Sequence, residues 1–295
     1  MNGRIWALIA ACVVQVLYGV NFTFANDVID DGHVQPFAFI LLRVLGATTL
    51  FWIIGFFAPK EKIAPKDFRT FFLASIFGIG LNMLTFFKGL QFTTPIHASV
   101  IMTVTPIVVL VLSAVLLKEK ITNLKILGVL LGFTGAIVLS VYGRSTQVGD
   151  HILLGNFLVF INAVSYSIYL IIIKKVVDKY HPLTFIKWLF TFGLIWVVPF
   201  GFSELQSVNL STFNPYTYFA VGFVVIGATF GTYLLNLFAL TKLRASTVGT
   251  FLYMQPVVAG IFAVAMGSDT LNVIKLSAAA LIMTGVFLVT KKPKN

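Results

Sequence analysis

Two positive charges stand inside otherwise uncharged, apolar stretches of this 295-residue chain. Arg43 is the only Asp, Glu, Lys or Arg in residues 32–59, and Lys88 is the only one in residues 70–117. A cation at the centre of a lipid bilayer costs about 2.5–3.5 kcal/mol on insertion scales. Each residue therefore either extends its long side chain to the membrane surface or holds an anionic group, and an arginine suits a carboxylate or phosphate because its guanidinium is planar.

Uncharged polar residues accompany these cations at helical spacing. Small and polar side chains also let membrane helices approach closely, so any single Ser, Thr or Gly indicates packing. The asparagines and tyrosines taken together favour a cavity, because buried amides need hydrogen-bond partners. The predicted cavity residues are Arg43, Lys88, Tyr18, Asn21, Asn82, Thr85, Thr103, Tyr166, Tyr169, Thr232, Asn236 and Tyr253, and Gln15 and Asn162 share the stretches of Tyr18 and Tyr166.

Two prolines lie inside apolar stretches, Pro106 and Pro256. A proline within a helix removes a backbone donor and kinks the helix. In a transporter such a position is a bending point, and in any membrane protein it can be a static kink. Both interpretations stay open from the sequence.

The composition predicts a membrane protein. The chain is 58% hydrophobic and 11% charged, with a mean hydropathy of +0.96. The apolar stretches lack the alternation of a β-barrel strand, so the sequence predicts an all-α integral membrane protein with helices as the spanning elements. The predicted spans are 4–26, 36–57, 69–91, 96–117, 124–142, 152–173, 183–201, 215–239, 246–266 and 272–290.

The basic residues predict the orientation. If the N-terminus is cytoplasmic, all but four of the 21 lysines and arginines fall on the cytoplasmic side. The exceptions are Arg43 and Lys88 within spans and Arg144 and Lys275 outside. This asymmetry predicts a multi-pass protein of the cytoplasmic (inner, plasma) membrane with both termini in the cytoplasm. It also explains the net charge of +11 without a nucleic-acid partner.

Motifs for chemistry are missing from the sequence. The single cysteine, Cys12, excludes an internal disulfide and a cysteine-based metal site. We find no metalloprotease, serine-hydrolase or phosphate-binding-loop pattern. The sequence therefore predicts neither an enzyme nor a bound cofactor or metal.

The second half of the chain repeats the first. Residues 105–140 align with residues 255–290 at a constant offset, which pairs Pro106 with Pro256. Residues 1–143 and 150–292 thus read as two five-helix repeats. Because five is odd, the repeats cross the membrane in opposite senses, as in secondary transporters that bind substrate in a central cavity between their repeats.

The repeated block carries a resemblance. "TPIVVLVLSAVLLKEK" and "QPVVAGIFAVAMGSD" are similar to the EamA-like, ten-helix permeases of the drug/metabolite transporter superfamily. The resemblance implies helices arranged around a central cavity, with the fifth and tenth helices at the periphery. It also implies movement of small metabolites, most often export of amino acids or related compounds. This chain has Asp269 where the family usually has Glu.

We therefore predict a secondary transporter that moves a small metabolite by alternating access, with efflux as the direction. The alternative is an organic-phosphate or nucleotide-sugar exchanger of the same superfamily, suggested by the two intramembrane cations. No Asp or Glu lies deep in a span, which argues against a carboxylate proton relay. The GxxxG patterns in 128–135 and 227–231 indicate helix packing and leave a homodimer open.

Overall fold

The computed structural model describes residues 2–30, 32, 34–93, 95–142, 151–177, 179–265 and 272–291. Within them lie ten helices long and apolar enough to cross a membrane, and no β-strand. In chain order, helices 1 to 10 are Asn2–Asp30, Pro36–Gly55, Pro65–Leu90, Pro95–Leu116, Asn123–Val141, Ile152–Val176, Pro182–Gln206, Pro215–Lys242, Ala245–Ala265 and Val273–Thr290. The predicted all-α membrane fold is confirmed. Helices 1 and 7 extend several residues past their predicted C-terminal ends.

Proline and polar caps begin many of these helices. Proline is the first residue of helices 2, 3, 7 and 8, where its missing N–H needs no partner. The Asn214 side chain accepts a 2.8 Å hydrogen bond from the Thr217 N–H at the start of helix 8. The Thr122 side chain caps helix 5 in the same way. Local sequence therefore fixes where several spans begin.

Helices 3 and 8 each contain a π-helical segment, Ile76–Gly80 and Ile226–Gly231. The two segments begin at positions that the repeat offset of the sequence makes equivalent. A π-helical turn holds one extra residue, disturbs the backbone hydrogen-bond ladder and often marks a functional site. Both segments lie near the middle of their helices.

Helices 4 and 9 are interrupted at equivalent positions. Helix 4 consists of Pro95–Met102 and Thr105–Leu116, and helix 9 of Ala245–Phe251 and Met254–Ala265. Each interruption comes just before the predicted bending proline, Pro106 or Pro256. The interruptions are part of this structure, and bending during transport stays a prediction.

The packing of the helices relates the two halves. Helix 2 packs on helix 7, and helix 5 on helix 10. Helix 3 packs on helix 6 as helix 8 packs on helix 1, and helix 4 packs on helix 6 as helix 9 packs on helix 1. If each helix is replaced by its equivalent in the other half, every one of these helix pairs becomes either the same pair or another pair in this set. This equivalence agrees with the internal repeat in the sequence.

The glycines of helix 5 are used within the chain. Gly128 and Gly285 face each other so closely that a Cβ on Gly285 would lie 2.4 Å from the Gly128 carbonyl oxygen. Gly135 makes a similar approach to the Ala278 carbonyl of helix 10. The GxxxG pattern in 128–135 thus packs helix 5 against helix 10 of the same chain. The other pattern, 227–231, lies in the π-helical segment of helix 8.

Candidate substrate site

A buried arginine lies at the centre of the helix bundle. Arg43, near the middle of helix 2, is 7% exposed, and its Nε donates a 3.0 Å hydrogen bond to the Thr229 hydroxyl. Its guanidinium carbon lies 5.9 Å from the centre of the Phe39 ring. In the described part of the chain, no carboxylate oxygen lies within 4.0 Å of the guanidinium. The positive charge of Arg43 therefore has no counter-charge there.

Four tyrosines form a series of neighbouring side chains that begins at this arginine. Tyr18 of helix 1 lies near Thr232 and Arg43, and Tyr233 also lies near Arg43. The ring of Tyr169 lies 5.9 Å from that of Tyr166 and 5.9 Å from that of Tyr233. We call this group the central cluster: Arg43, Tyr18, Tyr166, Tyr169, Thr229, Thr232, Tyr233 and Asn236.

The central cluster lies at mid-depth. Arg43, Tyr18, Tyr166 and Thr229 are each close to the midpoint of the helix that carries them. In transporters built from repeats, substrate sites lie near the bilayer midplane, and they often involve helices with interrupted backbones. The π-helical segment of helix 8 supplies Thr229, the hydrogen-bond partner of Arg43.

The π-helical segment of helix 3 faces the same cluster. Its irregular backbone leaves carbonyl groups that side chains of helices 6 and 8 can reach, which holds the three helices together. Gly78 makes room for Tyr169, because a Cβ there would lie 2.4 Å from the tyrosine ring. The three carbonyl oxygens in and around this segment accept bonds as follows: Gly78 from the Tyr233 hydroxyl (2.7 Å), Phe77 from the Ser165 hydroxyl (2.8 Å) and Asn82 from the Asn162 amide (2.7 Å).

Half of the residues predicted from sequence meet in the cluster. Arg43, Tyr18, Tyr166, Tyr169, Thr232 and Asn236 are brought together from helices 1, 2, 6 and 8. Asn236 of helix 8 donates a 3.1 Å hydrogen bond to the Tyr166 hydroxyl.

The other half lies outside it. Asn21, one turn beyond Tyr18, is half-buried with an unpartnered amide oxygen. Asn82 contributes its carbonyl oxygen to helix packing. The Thr85 and Thr103 hydroxyls donate to carbonyls of their own helices, Leu81 and Val100. Tyr253 packs against Gly132 of helix 5, where a Cβ would lie 2.4 Å from the tyrosine ring.

Lys88 lies on the outer surface of the bundle. It is exposed, and its ammonium donates a 3.0 Å hydrogen bond to Gln91 and lies 5.1 Å from the Phe92 ring centre. Leu81, two turns earlier on the same face of helix 3, lines an apolar groove on the bundle surface together with Phe157. A lysine on this face reaches the membrane surface by extending its stem. The surface alternative therefore accounts for Lys88, and Arg43 alone of the two cations joins the central cluster.

Thr229 and Tyr233 are cluster residues that were not among the predicted ones. They share a helix face with the predicted Thr232 and Asn236, because the four positions follow the i, i+3, i+4, i+7 spacing of an α-helix. The small, polar "GATFGTY" run was the available signal.

Charged side chains elsewhere in the described residues lie near helix ends. Glu204 accepts hydrogen bonds of 2.8 and 2.9 Å from the backbone of Phe37 and Ala38 at the start of helix 2. Glu61 accepts 3.0 Å bonds from the His181 N–H before helix 7. No three His, Cys, Asp or Glu side chains of the described part come together as metal ligands. Asp269, which stands where the family usually has Glu, lies outside the described residues.

Comparison with known proteins identifies the family. The model of the EamA-like transporter family matches residues 5–141 and again residues 153–291. The chain belongs to the EamA-like transporter family. The double match of the EamA-like model agrees with the equivalence of the two halves. This EamA-like chain is therefore a multi-pass membrane transporter.

Relatives and a known structure agree with this assignment. An uncharacterized transporter of Archaeoglobus fulgidus is 28% identical over 97% of this chain and 99% of its own. The uncharacterized transporter YetK of Bacillus subtilis is 24% identical over 86% of this chain and 78% of its own. A crystal structure matches 96% of each chain with a TM-score of 0.80 at 17% identity, which supports the fold of the EamA-like chain.

Proposed function

We propose that this EamA-like protein moves a small metabolite with a negatively charged group across the cytoplasmic membrane, with the central cluster as the binding site. The observation that carries the proposal is Arg43, a buried cation at mid-depth that has no carboxylate partner in the described part of the chain. A charge in this position is costly, so it persists where it has a function. The resemblance to EamA-like permeases supports an amino acid or related compound as substrate and export as direction.

The symmetry of the halves supports alternating access. Five spanning helices in each half imply that the halves run in opposite senses through the membrane, and the basic residues predict that both termini are cytoplasmic. Two conformations related by exchange of the halves would open the central cluster first to one side and then to the other. The interruptions before Pro106 and Pro256 allow the ends of helices 4 and 9 to move.

We propose that a polar network closes the end of the bundle that is predicted to be cytoplasmic. Glu119, after helix 4, accepts a 2.9 Å hydrogen bond from the Ala245 N–H at the start of helix 9 and a second from the Ser246 hydroxyl. Lys125 of helix 5 lies 3.4 Å from the same carboxylate, and the two side chains are 7% and 8% exposed. This network ties helices 4, 5 and 9 together, and it must break for the site to open inward.

We expect Glu119→Gln to open this cytoplasmic end. Loss of a hydrogen-bonded charge costs about 1.5–3 kcal/mol, which is enough to raise the population of the inward-open state about tenfold. The measurement is the rate at which a membrane-impermeant maleimide labels Thr250→Cys from the cytoplasmic side, in a Cys12→Ser background. Thr250 is fully buried one turn inside Ser246.

Glu61→Gln is the matched control, because Glu61 caps helix 7 and shares no hydrogen bond or ion pair with helix 9 in the described residues. Its labelling rate should equal that of the parent. An unchanged rate in Glu119→Gln would show that this network is not the closure.

The experiment that tests the proposed function is counterflow in proteoliposomes. Vesicles loaded with unlabelled amino acids or other monocarboxylates are diluted into the labelled compound, and protein-dependent, saturable accumulation is measured. We expect accumulation of at least one anionic or zwitterionic metabolite without chemical change. If every labelled compound equilibrates at the rate of protein-free vesicles, the proposal fails.

The structure supports an exchanger of organic phosphates or nucleotide sugars less well than the sequence does. That alternative rested on two cations in the membrane, and Lys88 lies on the bundle surface. In the described residues, the central cluster keeps one positive charge, that of Arg43.

A further inference from the structure

We infer that Asn162 and Asn236 form a second subsite, which binds a hydrogen-bond donor of the metabolite, an ammonium or a hydroxyl group, while Arg43 holds its single carboxylate. The inference rests on the proposed function and adds the chemical class of the substrate. It predicts a monocarboxylate whose far end carries a donor group, and it excludes phosphate esters.

The single positive charge of the cluster determines how much negative charge the bound group of the metabolite can carry. Lys125 is the other buried cation of the described part, and Glu119 pairs with it. Arg43 therefore offers one unbalanced positive charge, which one carboxylate neutralises. A phosphate monoester carries between one and two negative charges near neutral pH. The excess would remain unpaired in a low-dielectric interior, so the site favours a carboxylate.

Asn162 presents a free acceptor next to the tyrosines. It is 3% exposed, and its amide nitrogen donates 2.7 Å to the Asn82 carbonyl. A carbonyl oxygen can only accept, so this bond fixes the orientation of the Asn162 amide. The remaining amide oxygen is buried and has no partner. Asn162 lies one turn before Tyr166 on helix 6, on the inner side of the bundle.

Asn236 presents a second free acceptor from helix 8. It is 2% exposed, and its amide nitrogen donates to the Tyr166 hydroxyl. Its amide oxygen is also buried without a partner. Asn236 thus bonds Tyr166 from helix 8, and Asn162 lies one turn before Tyr166 on helix 6, each with an unsatisfied oxygen. Buried acceptors are normally satisfied, so these two oxygens indicate a donor supplied by a ligand.

The spacing of the two ends matches a small metabolite. Thr229, the partner of Arg43, precedes Asn236 by two turns of helix 8, which is roughly 10 Å along the axis. Two hydrogen bonds of about 3 Å each occupy part of this length. What remains fits a chain of a few carbon atoms between the carboxylate and the donor group.

The test is binding of matched probes to the detergent-purified full-length protein, measured by calorimetry and thermal shift. The probes are five-carbon monocarboxylates that end in an amine, a hydroxyl or a methyl group, together with a phosphate monoester of similar length. We expect the amine or hydroxyl probe to bind the wild type at least about tenfold more tightly than the methyl probe, and the phosphate ester to be rejected. A preference for the amine over the hydroxyl identifies an ammonium subsite, and the reverse a hydroxyl subsite.

Variants assign the preference to the subsite. Asn236→Leu should remove the difference in affinity between the donor probes and the methyl probe. Asn236→Asp should raise the affinity for the amine probe alone. Asn156→Leu is the matched control on helix 6, since the Asn156 amide oxygen already accepts from Thr93. It should keep the preference.

Three results overturn the inference: equal affinity of the donor and methyl probes for the wild type, an unchanged preference in Asn236→Leu, or no binding of any carboxylate probe. The proposed function fails separately. Probe binding without vesicle flux would contradict transport and leave the subsite standing, and flux without discrimination would contradict the subsite alone.

Discussion

Arg43→Gln is expected to lower transport about 100-fold, because a hydrogen bond to a charged group is worth roughly 1.5–3 kcal/mol and the substrate anion loses its counter-charge. Folding should not suffer. Arg43 is buried without a carboxylate partner in the described residues, so its removal relieves a desolvation cost and the apparent melting temperature should rise. Counterflow at matched protein density and a thermal melt in detergent measure the two effects.

Lys88→Gln is the matched control, since it removes the other cation from an apolar span. Lys88 is exposed and bonds only locally in the described part, so its transport rate should stay within about twofold of the wild type. Arg43→Lys should recover part of the activity, because it restores the charge without the planar donor pair. Equal losses in Arg43→Gln and Lys88→Gln would show that the central cluster is not the binding site.

Gly285→Leu is expected to destabilise the folded protein severely. A Cβ on Gly285 would lie 2.4 Å from the Gly128 carbonyl oxygen and 2.8 Å from the Gly132 backbone nitrogen. Both are backbone atoms, so helix 10 must move away from helix 5 as a whole. Overpacking commonly costs about 1–3 kcal/mol, and a backbone clash belongs at or beyond the top of that range. The readout is the yield of monodisperse protein in detergent and its melting temperature.

Gly222→Leu controls for adding a leucine to a membrane helix. A Cβ on Gly222 of helix 8 would meet no atom within 4 Å, so the melting temperature should change by no more than a few degrees. If Gly285→Leu is as stable as Gly222→Leu, helices 5 and 10 do not pack as the structure has them.

The spans were predictable because lipid imposes one strong rule. Backbone groups in a bilayer must be satisfied within a helix, so any apolar stretch of sufficient length becomes one. The repeat was equally visible, since the Pro106 and Pro256 blocks align without gaps. The structure adds that both prolines follow a helix interruption and that the halves pack equivalently. Family, class and the approximate location of each helix therefore followed from one-dimensional patterns.

The distinction between the two cations came from the tertiary structure. In sequence, Arg43 and Lys88 look alike, each alone in an apolar stretch. Which one faces inward depends on the rotation of its helix, which the neighbouring helices decide. Helix 2 turns Arg43 toward Thr229 and Tyr233 of helix 8, while helix 3 turns Lys88 away from the bundle.

Sequence by itself determined the membrane class, ten helices, the duplication and six residues of the central cluster, because hydropathy and helical spacing are local properties. The structure alone brought in Thr229 and Tyr233 and showed that Asn162 and Asn236 keep free amide oxygens. The reason is physical. The partner that a polar side chain meets, and whether its hydrogen bonds are satisfied, depend on side chains from helices far apart in the chain. Neither is written in the sequence around a single residue.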